Sequence, residues 1–424
     1  MSRSIARGCR SAGAEVGSSS WPLAETSKAG SARALAAAAV SAAPVVTPSP
    51  STSSSSPPSR RFSSSPRSRY AAAASITSGS PSSADPSIGA LQTLHPPSHL
   101  ASYFYPASLR PHYLALQALH LELALIPTTV SSEILGRIRY GWWRDAVRAC
   151  FLAKEGDGSA GRRWKHPIVV SLERAIWDPQ VRARGGLVQE HFEAIVDAWE
   201  ASLSTFSTSP TLDALEATSE RLYSRQFYLH LNLLGLSHHR IDELFSHLGK
   251  ALGLLEAIVS TPASLGVKMT ATASQGEGGS SPARIAKSRK PSLAESTPHF
   301  PLPIEYLQEH NVTQEAVLRY GGQAPGFRDA VFATATRAND YLLTARKTLQ
   351  DGASERDPSL ALKGGRVPDA GKPALVGAAT IPFLLQRLEK YDFDPFQPAF
   401  RMEAKGRGWR LPAKMWGVNW SGKI

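Results

Sequence analysis

Leu114–Ile126 reads LALQALHLELALI, and this stretch decides the fold class. It is a dense Leu/Ala run with no β-branched residue before Ile126. Leu and Ala are strong helix formers, so the run predicts a buried helix rather than a strand. Pro127 then stops that helix or kinks it, because proline lacks the N–H an interior turn needs. Ser131-Ser132-Glu133 opens a second helix that runs to about Ala153. It places Ile134, Ile138, Trp142 and Ala146, spaced four apart, on one face.

Working outward, Pro167–Trp177, Val188–Leu203, Leu212–Leu234 and Ile241–Val259 also read as helices. So do Thr313–Tyr320, Phe327–Leu349 and Ala374–Lys390. Hardly any segment alternates with period two, so the expected class is all-α. Thr261–His299 (Ser/Gly/Ala/Thr/Pro-rich) and Gln350–Pro373 (Gly/Asp/Lys-rich) lack apolar periodicity and read as surface-loop insertions. Helices on either side of them need each other as partners. One helical domain over residues 95–400 is therefore expected, with no internal repeat.

The chain has 424 residues and a formal charge of +12, unevenly spread. Nine basic and three acidic residues place +6 in the first 90 positions. Arg401, Lys405, Arg407, Arg410, Lys414 and Lys423 against Glu403 place +5 in 401–424. The body between is close to neutral, which argues against a uniformly basic nucleic-acid binder. Two cysteines, Cys9 and Cys150, exclude a disulfide framework and any multi-Cys metal site. No run of strongly apolar residues is long enough to suggest a membrane span.

Residues 1–94 are dominated by Ser, Ala, Pro and Arg and have little large apolar surface with which to offset the entropy of ordering. Arg3, Arg7 and Arg10 would share one helical face, and no acid precedes Glu15. This is the composition of a mitochondrial transit peptide followed by disordered chain. A secretory signal fits less well, because Ala34–Val46 is mostly alanine and far from the start. A plain disordered tail is the third reading. At the other end, Trp409, Trp416 and Trp420 are interleaved with Arg407, Arg410 and Lys414. That mixture suits a membrane or partner surface. The competing expectation is that the indoles pack onto the helical body.

Three groups of motifs resemble one family. YPASLR (105–110), LALQALHLELA and RIRYGWWRDAV (137–147) resemble the opening of squalene/phytoene synthases. SHLGKALGLLEAIVSTP (246–262) followed by FPLPIEYLQEHNV (300–312) resembles that family's second substrate-binding helix and "LP" segment. YDFDPFQP (391–398) resembles the family's ending. Within the family the pattern is most similar to the branch of mitochondrial NADH dehydrogenase (complex I) assembly factor 6 proteins. It spans about residues 97–420 apart from the insertions. The resemblance implies a single all-α, prenyl-synthase-like domain.

The active enzymes of that family hold Mg²⁺–diphosphate with two Asp-x-x-x-Asp motifs on facing helices. A spacing of four puts both carboxylates on one helical face, and hard oxygen ligands are what Mg²⁺ needs. By the resemblance, the four positions fall on Ala124, Thr128, Ser260 and Ser264. Leu114–Val130 holds Glu122 alone and Gly249–Gly266 holds Glu256 alone, neither with an acid four residues away. The expectation is therefore a non-enzyme that needs no metal or cofactor and acts as a scaffold or chaperone for complex I subunits or other assembly factors. Its expected place is the matrix face of the inner membrane, with no nucleic-acid partner. The other reading is an isoprenoid or lipid handler, binding or transferring a prenyl group, that keeps the apolar cavity.

Glu122, Glu256 and Lys250 are candidate relic cavity residues. The competing reading pairs the buried carboxylates with Arg139, Arg144 or Lys250, since buried charges need partners. His238, His239 and His247 fit no zinc spacing and suit helix-start and surface roles. Cys150 reads as a buried small residue. Gly276–Gly279 lacks the strand and GK[ST] of a phosphate loop. Asp392 and Asp394, ahead of Pro395, suit a turn.

Overall fold

The computed structural model describes residues 86–153, 158–204, 208–266, 291–297, 299–352 and 365–424. The transit-peptide reading of the first 85 residues and the glycine stretch 276–279 lie outside them. Among the described residues the structure is helical, with no strand. The principal helices are α1 (Arg110–Thr129), α2 (Glu133–Leu152), α3 (Pro167–Trp177), α4 (Gln189–Ser204), α5 (Leu212–Ser219) and α6 (Arg225–Leu234). They are followed by α7 (His239–Ser264), α8 (Phe327–Gly352), α9 (Lys372–Ala378), α10 (Thr380–Lys390) and α11 (Arg410–Ser421).

The deciding stretch is helical, but the helix is longer than LALQALHLELALI and runs through Pro127 to Thr129. Pro127 has no N–H for the Leu123 carbonyl. The buried Tyr140 hydroxyl donates to that carbonyl instead, at 3.0 Å, and joins α2 to α1. The second helix starts as expected, with Ser132 Oγ accepting from the Leu135 N–H at 3.5 Å.

Its buried face differs from the Ile134/Ile138/Trp142/Ala146 stripe. Gly136, Tyr140, Trp143, Val147 and Cys150 point inward with Ala146, while Ile134 and Ile138 are 71% and 63% exposed. The close approach of α4 explains this. A Cβ on Gly136 would meet the Leu203 side chain at 2.7 Å, so the smallest residue, not an isoleucine, faces the neighbour.

Leu212–Leu234 is two helices joined by a π turn at Glu220–Ser224. The turn lies where α7 crosses most closely. A Cβ on Gly253 would stand 2.1 Å from Ser219 Oγ, and one on Gly249 would stand 2.5 Å from the Ser224 backbone nitrogen. Extra-residue turns of this kind let one helix re-aim its side chains in mid-course. Gly235, at φ 75°, ends α6 in the left-handed conformation that glycine adopts without penalty.

α7 packs along α8 and also touches α5, the π turn, α6 and α10. Leu244, Phe245, Leu248, Ala251, Leu254, Leu255 and Ile258 are fully buried on it. Truncating one large member, such as Phe245→Ala, costs about 3–5 kcal/mol. α1 lies against α2, α3, α4 and α6.

Three boundaries move. Pro86–Leu94 is a helix that packs on α1 through the buried Leu91, so the folded unit begins ahead of His95. α7 continues past Val259 to Ser264, with Thr261 and Pro262 buried, into the stretch read as the first insertion. Residues 401–424 fold onto the body, because Leu411, Met415 and Val418 bury one face of α11 against α9 and α10. Ala374–Lys390 is two helices that meet at Ala379.

Candidate functional site

α1 and α7 carry the positions where chemistry was sought. Ala124 and Thr128 lie in the last turns of α1, and Ser260 and Ser264 in the last turns of α7. Thr128 Oγ1 donates back to the Leu125 carbonyl at 2.7 Å, and Ser260 Oγ to the Ala257 carbonyl at 3.1 Å. Both hydroxyls are thus spent on their own helices. Among the described residues no group of three or more His, Cys, Asp or Glu side chains is placed to hold a metal ion.

The two lone glutamates have different surroundings. Burial raises the pKa of Glu122 above the usual carboxylate range, and the Arg139 charge opposes the rise. Arg139 itself donates to Thr129 Oγ1 at 2.8 Å. Burial pushes Glu256 up to about 7, with no counter-charge acting against it. Lys250 pairs with Glu220, at 3.4 Å. Arg144 pairs with Asp197 and Glu200. Neither cation pairs with Glu122 or Glu256.

Glu256 instead acts on a neighbouring aromatic group. Its charge, after burial, raises the pKa of the Tyr223 phenol in the π turn. The Tyr223 ring is 5.7 Å from the His120 ring, which lies 5.8 Å from Trp199 of α4. Burial, with His95 nearby, lowers His120 to about 3, so its imidazole is neutral at physiological pH. Among the described residues neither His120 Nδ1 nor Trp199 Nε1 has a hydrogen-bond partner. Four helical segments thus contribute groups that can donate or accept hydrogen bonds.

A pair of carboxylates at spacing four does exist, in a place the sequence reading passed over. Glu216 and Glu220, in LEATSE, sit at the junction of α5 and the π turn. Glu216 receives Arg337 Nε at 2.6 Å and the Tyr341 hydroxyl at 2.7 Å from α8. Burial disfavours the Glu216 charge, but the hydrogen bonds from Arg337 and Tyr341 outweigh it and lower its pKa. Glu220 receives Ser246 Oγ at 2.7 Å, Tyr228 Oη at 3.2 Å and Ser224 Oγ at 3.3 Å, with Lys250 beside it. The E-x-x-x-E spacing was the available signal. Its partners on α7 and α8, 26 to 125 residues away, were not. With those partners bound, the pair clasps α5, α7 and α8 together.

The remaining sequence candidates have local roles. His238 Nδ1 caps α7 by accepting from the Arg240 N–H at 3.2 Å, and His247 stacks on Tyr341 at 6.0 Å. Cys150 is fully buried, and burial pushes its thiol up to about 12. Asp394 Oδ1 accepts from the Phe396 N–H at 2.9 Å, closing the YDFDPF turn, and Arg328 pairs with both aspartates. Arg407 and Arg410 are exposed and Lys414 is half-buried. The three tryptophans of the C-terminal segment face solvent rather than the helical body.

Residues 96–263 and 293–416 match the squalene/phytoene synthase family. The chain belongs to that family. This squalene/phytoene synthase family member is similar to the "NADH dehydrogenase (ubiquinone) complex I, assembly factor 6" of Rattus norvegicus. The two are 25% identical over 323 residues, which cover 76% of this chain and 78% of the relative. The Homo sapiens protein of the same name is 24% identical over 305 residues, 72% of this chain and 73% of that one. Among solved structures the chain is similar to squalene synthase HpnC from Alicyclobacillus acidocaldarius, with a TM-score of 0.49 and 13% identity. That similarity covers 73% of this chain and 96% of the other.

Proposed function

We propose that this chain is a non-enzymatic assembly factor for mitochondrial respiratory complex I. It is a synthase-family protein that has lost both aspartate-rich motifs and serves as a scaffold or chaperone at the matrix face of the inner membrane. The carrying observation is which residues stand on α1 and α7 where carboxylates were sought. Ala124, Thr128, Ser260 and Ser264 offer no carboxylate, and Glu122 and Glu256 are single, partly buried and raised in pKa. Stabilising a leaving diphosphate is the largest electrostatic demand of prenyl coupling, and it takes clustered anionic oxygens around Mg²⁺. The relatives named for complex I assembly supply the pathway.

In this reading residues 1–85 are the import address and its tether, and residues from Pro86 onward are the working helical unit. Its partners are complex I subunits or other assembly factors, and no metal or cofactor takes part. Deleting the chain in its own organism and resolving complex I on native gels tests the proposal. Depleted complex I, restored by re-expression, is expected; normal complex I refutes it.

One observation favours a second reading, a protein that binds an isoprenoid or other lipid or transfers a prenyl group. His120, Trp199 and Tyr223 form an aromatic cluster with polar edges, and the buried Glu256 carboxyl acts on the Tyr223 phenol. Such a group suits a ligand with a neutral polar end. Turnover of farnesyl diphosphate with Mg²⁺ by the purified chain would favour this reading over the first.

A further inference from the structure

Three tryptophans of the C-terminal segment stand in solvent. Trp409 is 75% exposed, Trp416 63% and Trp420 76%. An indole offers some of the largest apolar surface of any side chain, and surface helices ordinarily turn it inward. α11 does not. Leu411, Met415 and Val418 take its core face, against α9 and α10, and fix its rotation. At about 100° per residue, the opposite face runs Trp409, Ala413, Trp416 and Trp420 within a stripe of roughly 60°. The Trp416 and Trp420 rings stack at 6.0 Å with 16° between planes, so they present one continuous apolar surface.

Charge around the stripe has a single sign. Arg410 and Lys414 follow one flank, and the exposed Arg407 and Lys423 mark its two ends. Glu403 is the acid of this segment, and it is occupied by Arg387, Lys390 and Arg410. Arg410 shares Glu403 with two other cations, so the flank keeps net positive charge for an approaching anionic surface. The indoles rise from a convex helix rather than lining a groove. Indole at the level of the headgroups, with Lys/Arg reaching phosphates, is how an in-plane helix holds a bilayer surface. No helix among the described residues is long and apolar enough to cross a membrane, so this contact is peripheral.

We propose that the Trp409/Trp416/Trp420 face of α11 docks on a membrane surface rich in anionic phospholipid, with α11 lying in the plane of the bilayer. The proposal rests on the inner-membrane placement given above and names the surface that achieves it. The partner is the phospholipid itself, recognised by indole insertion together with phosphate contacts.

Flotation of the full chain with vesicles tests it, using phosphatidylcholine alone or phosphatidylcholine with cardiolipin, at low and at physiological salt. The wild type is expected to float with cardiolipin vesicles and to bind about tenfold or more weakly as salt rises. The triple variant W409A/W416A/W420A is expected to bind about tenfold or more weakly. Its melting temperature should be unchanged, because the rings face solvent. R407Q/K423Q should weaken cardiolipin binding and leave the weak phosphatidylcholine binding unaltered. Brominated lipid should quench wild-type tryptophan fluorescence and not that of the triple variant.

A wild type that ignores both vesicles overturns the proposal, as does a triple variant that floats like wild type. Equal flotation on both vesicle types overturns the anionic requirement. A triple variant that keeps vesicle binding but loses a crosslink to a complex I subunit assigns the face to a protein instead. Complex I measured in cells lacking the chain separates the two readings. Normal complex I there refutes assembly and leaves vesicle binding standing. Absent vesicle binding with depleted complex I refutes this surface alone.

Discussion

The hydroxyl of Tyr140 occupies the place that the proline at 127 leaves empty, donating at 3.0 Å to the carbonyl of Leu123. In an uninterrupted helix that carbonyl would accept the N–H of residue 127. α1 therefore runs through Pro127 to Thr129 with the Leu123 carbonyl paired, and α2 is pinned to it by the same bond. The end of α1 carries Ala124 and Thr128, so this bond also sets where those positions stand.

Tyr140→Phe should destabilise the chain by about 1–2 kcal/mol, because it leaves the Leu123 carbonyl buried and unpaired. Pro127→Ala supplies the missing N–H from within α1. In the double variant the loss should shrink, giving a coupling of about 1 kcal/mol in a urea-unfolding cycle. Additive losses would show that the proline and the phenol do not share the carbonyl.

Gly253→Ala and Gly141→Ala should have opposite signs. At 253 a Cβ meets Ser219 Oγ at 2.1 Å and its Cα at 3.0 Å, so α7 must move off the end of α5. The expected cost is about 2–3 kcal/mol. At 141 nothing lies within 4 Å, and replacing a mid-helix glycine should stabilise by about 0.5–1 kcal/mol. Thermal melts of the two variants check the pair.

Glu256 makes stability fall as pH rises. Its folded pKa, about 7, is above the ordinary 4.5, so the folded state holds this proton more tightly than the unfolded chain. The stability from the protonated form is complete below pH ~4.5 and is lost as pH rises through about 7. Glu256→Gln removes the dependence. In urea unfolding at pH 5 and pH 8, the glutamine variant should gain on wild type with rising pH, by on the order of 3 kcal/mol in total. A difference that stays constant with pH would place the Glu256 carboxyl in water.

Glu216→Ala should cost about 2 kcal/mol, because it strands Arg337 and the Tyr341 hydroxyl between α5 and α8. Arg337→Leu alone should cost a similar amount. Both changes together should cost much less than their sum, a comparison read from unfolding midpoints.

Much of the fold was legible in the sequence because helix formation is largely local. LALQALHLELALI is helical, Ser132 opens the next helix, and the long runs around Phe245 and Phe327 are helices. The motifs at 105–147, 246–262 and 391–398 placed the chain in its family, and that resemblance put Ala124, Thr128, Ser260 and Ser264 where carboxylates were sought. The residues of the candidate site were less legible. Glu256 is visible as a lone acid on an apolar helix, but its neighbours His120, Trp199 and Tyr223 come from three other segments. Glu216 and Glu220 show the right spacing, yet only Arg337, Tyr341 and Lys250 reveal that the pair is a clasp.

By itself, then, the sequence determined helix rather than strand, the family, and the single acids on the two helices that matter. Those properties follow from propensity, spacing and residue type, each carried within a few turns of chain. Only the tertiary structure decided which face of α2 is buried, that Pro127 is satisfied from another helix, and that α11 turns leucine, methionine and valine inward and its indoles out. A helix periodicity states that a stripe exists. Which stripe meets the core depends on how closely the neighbouring backbone approaches, and that distance is set by residues far away in the chain.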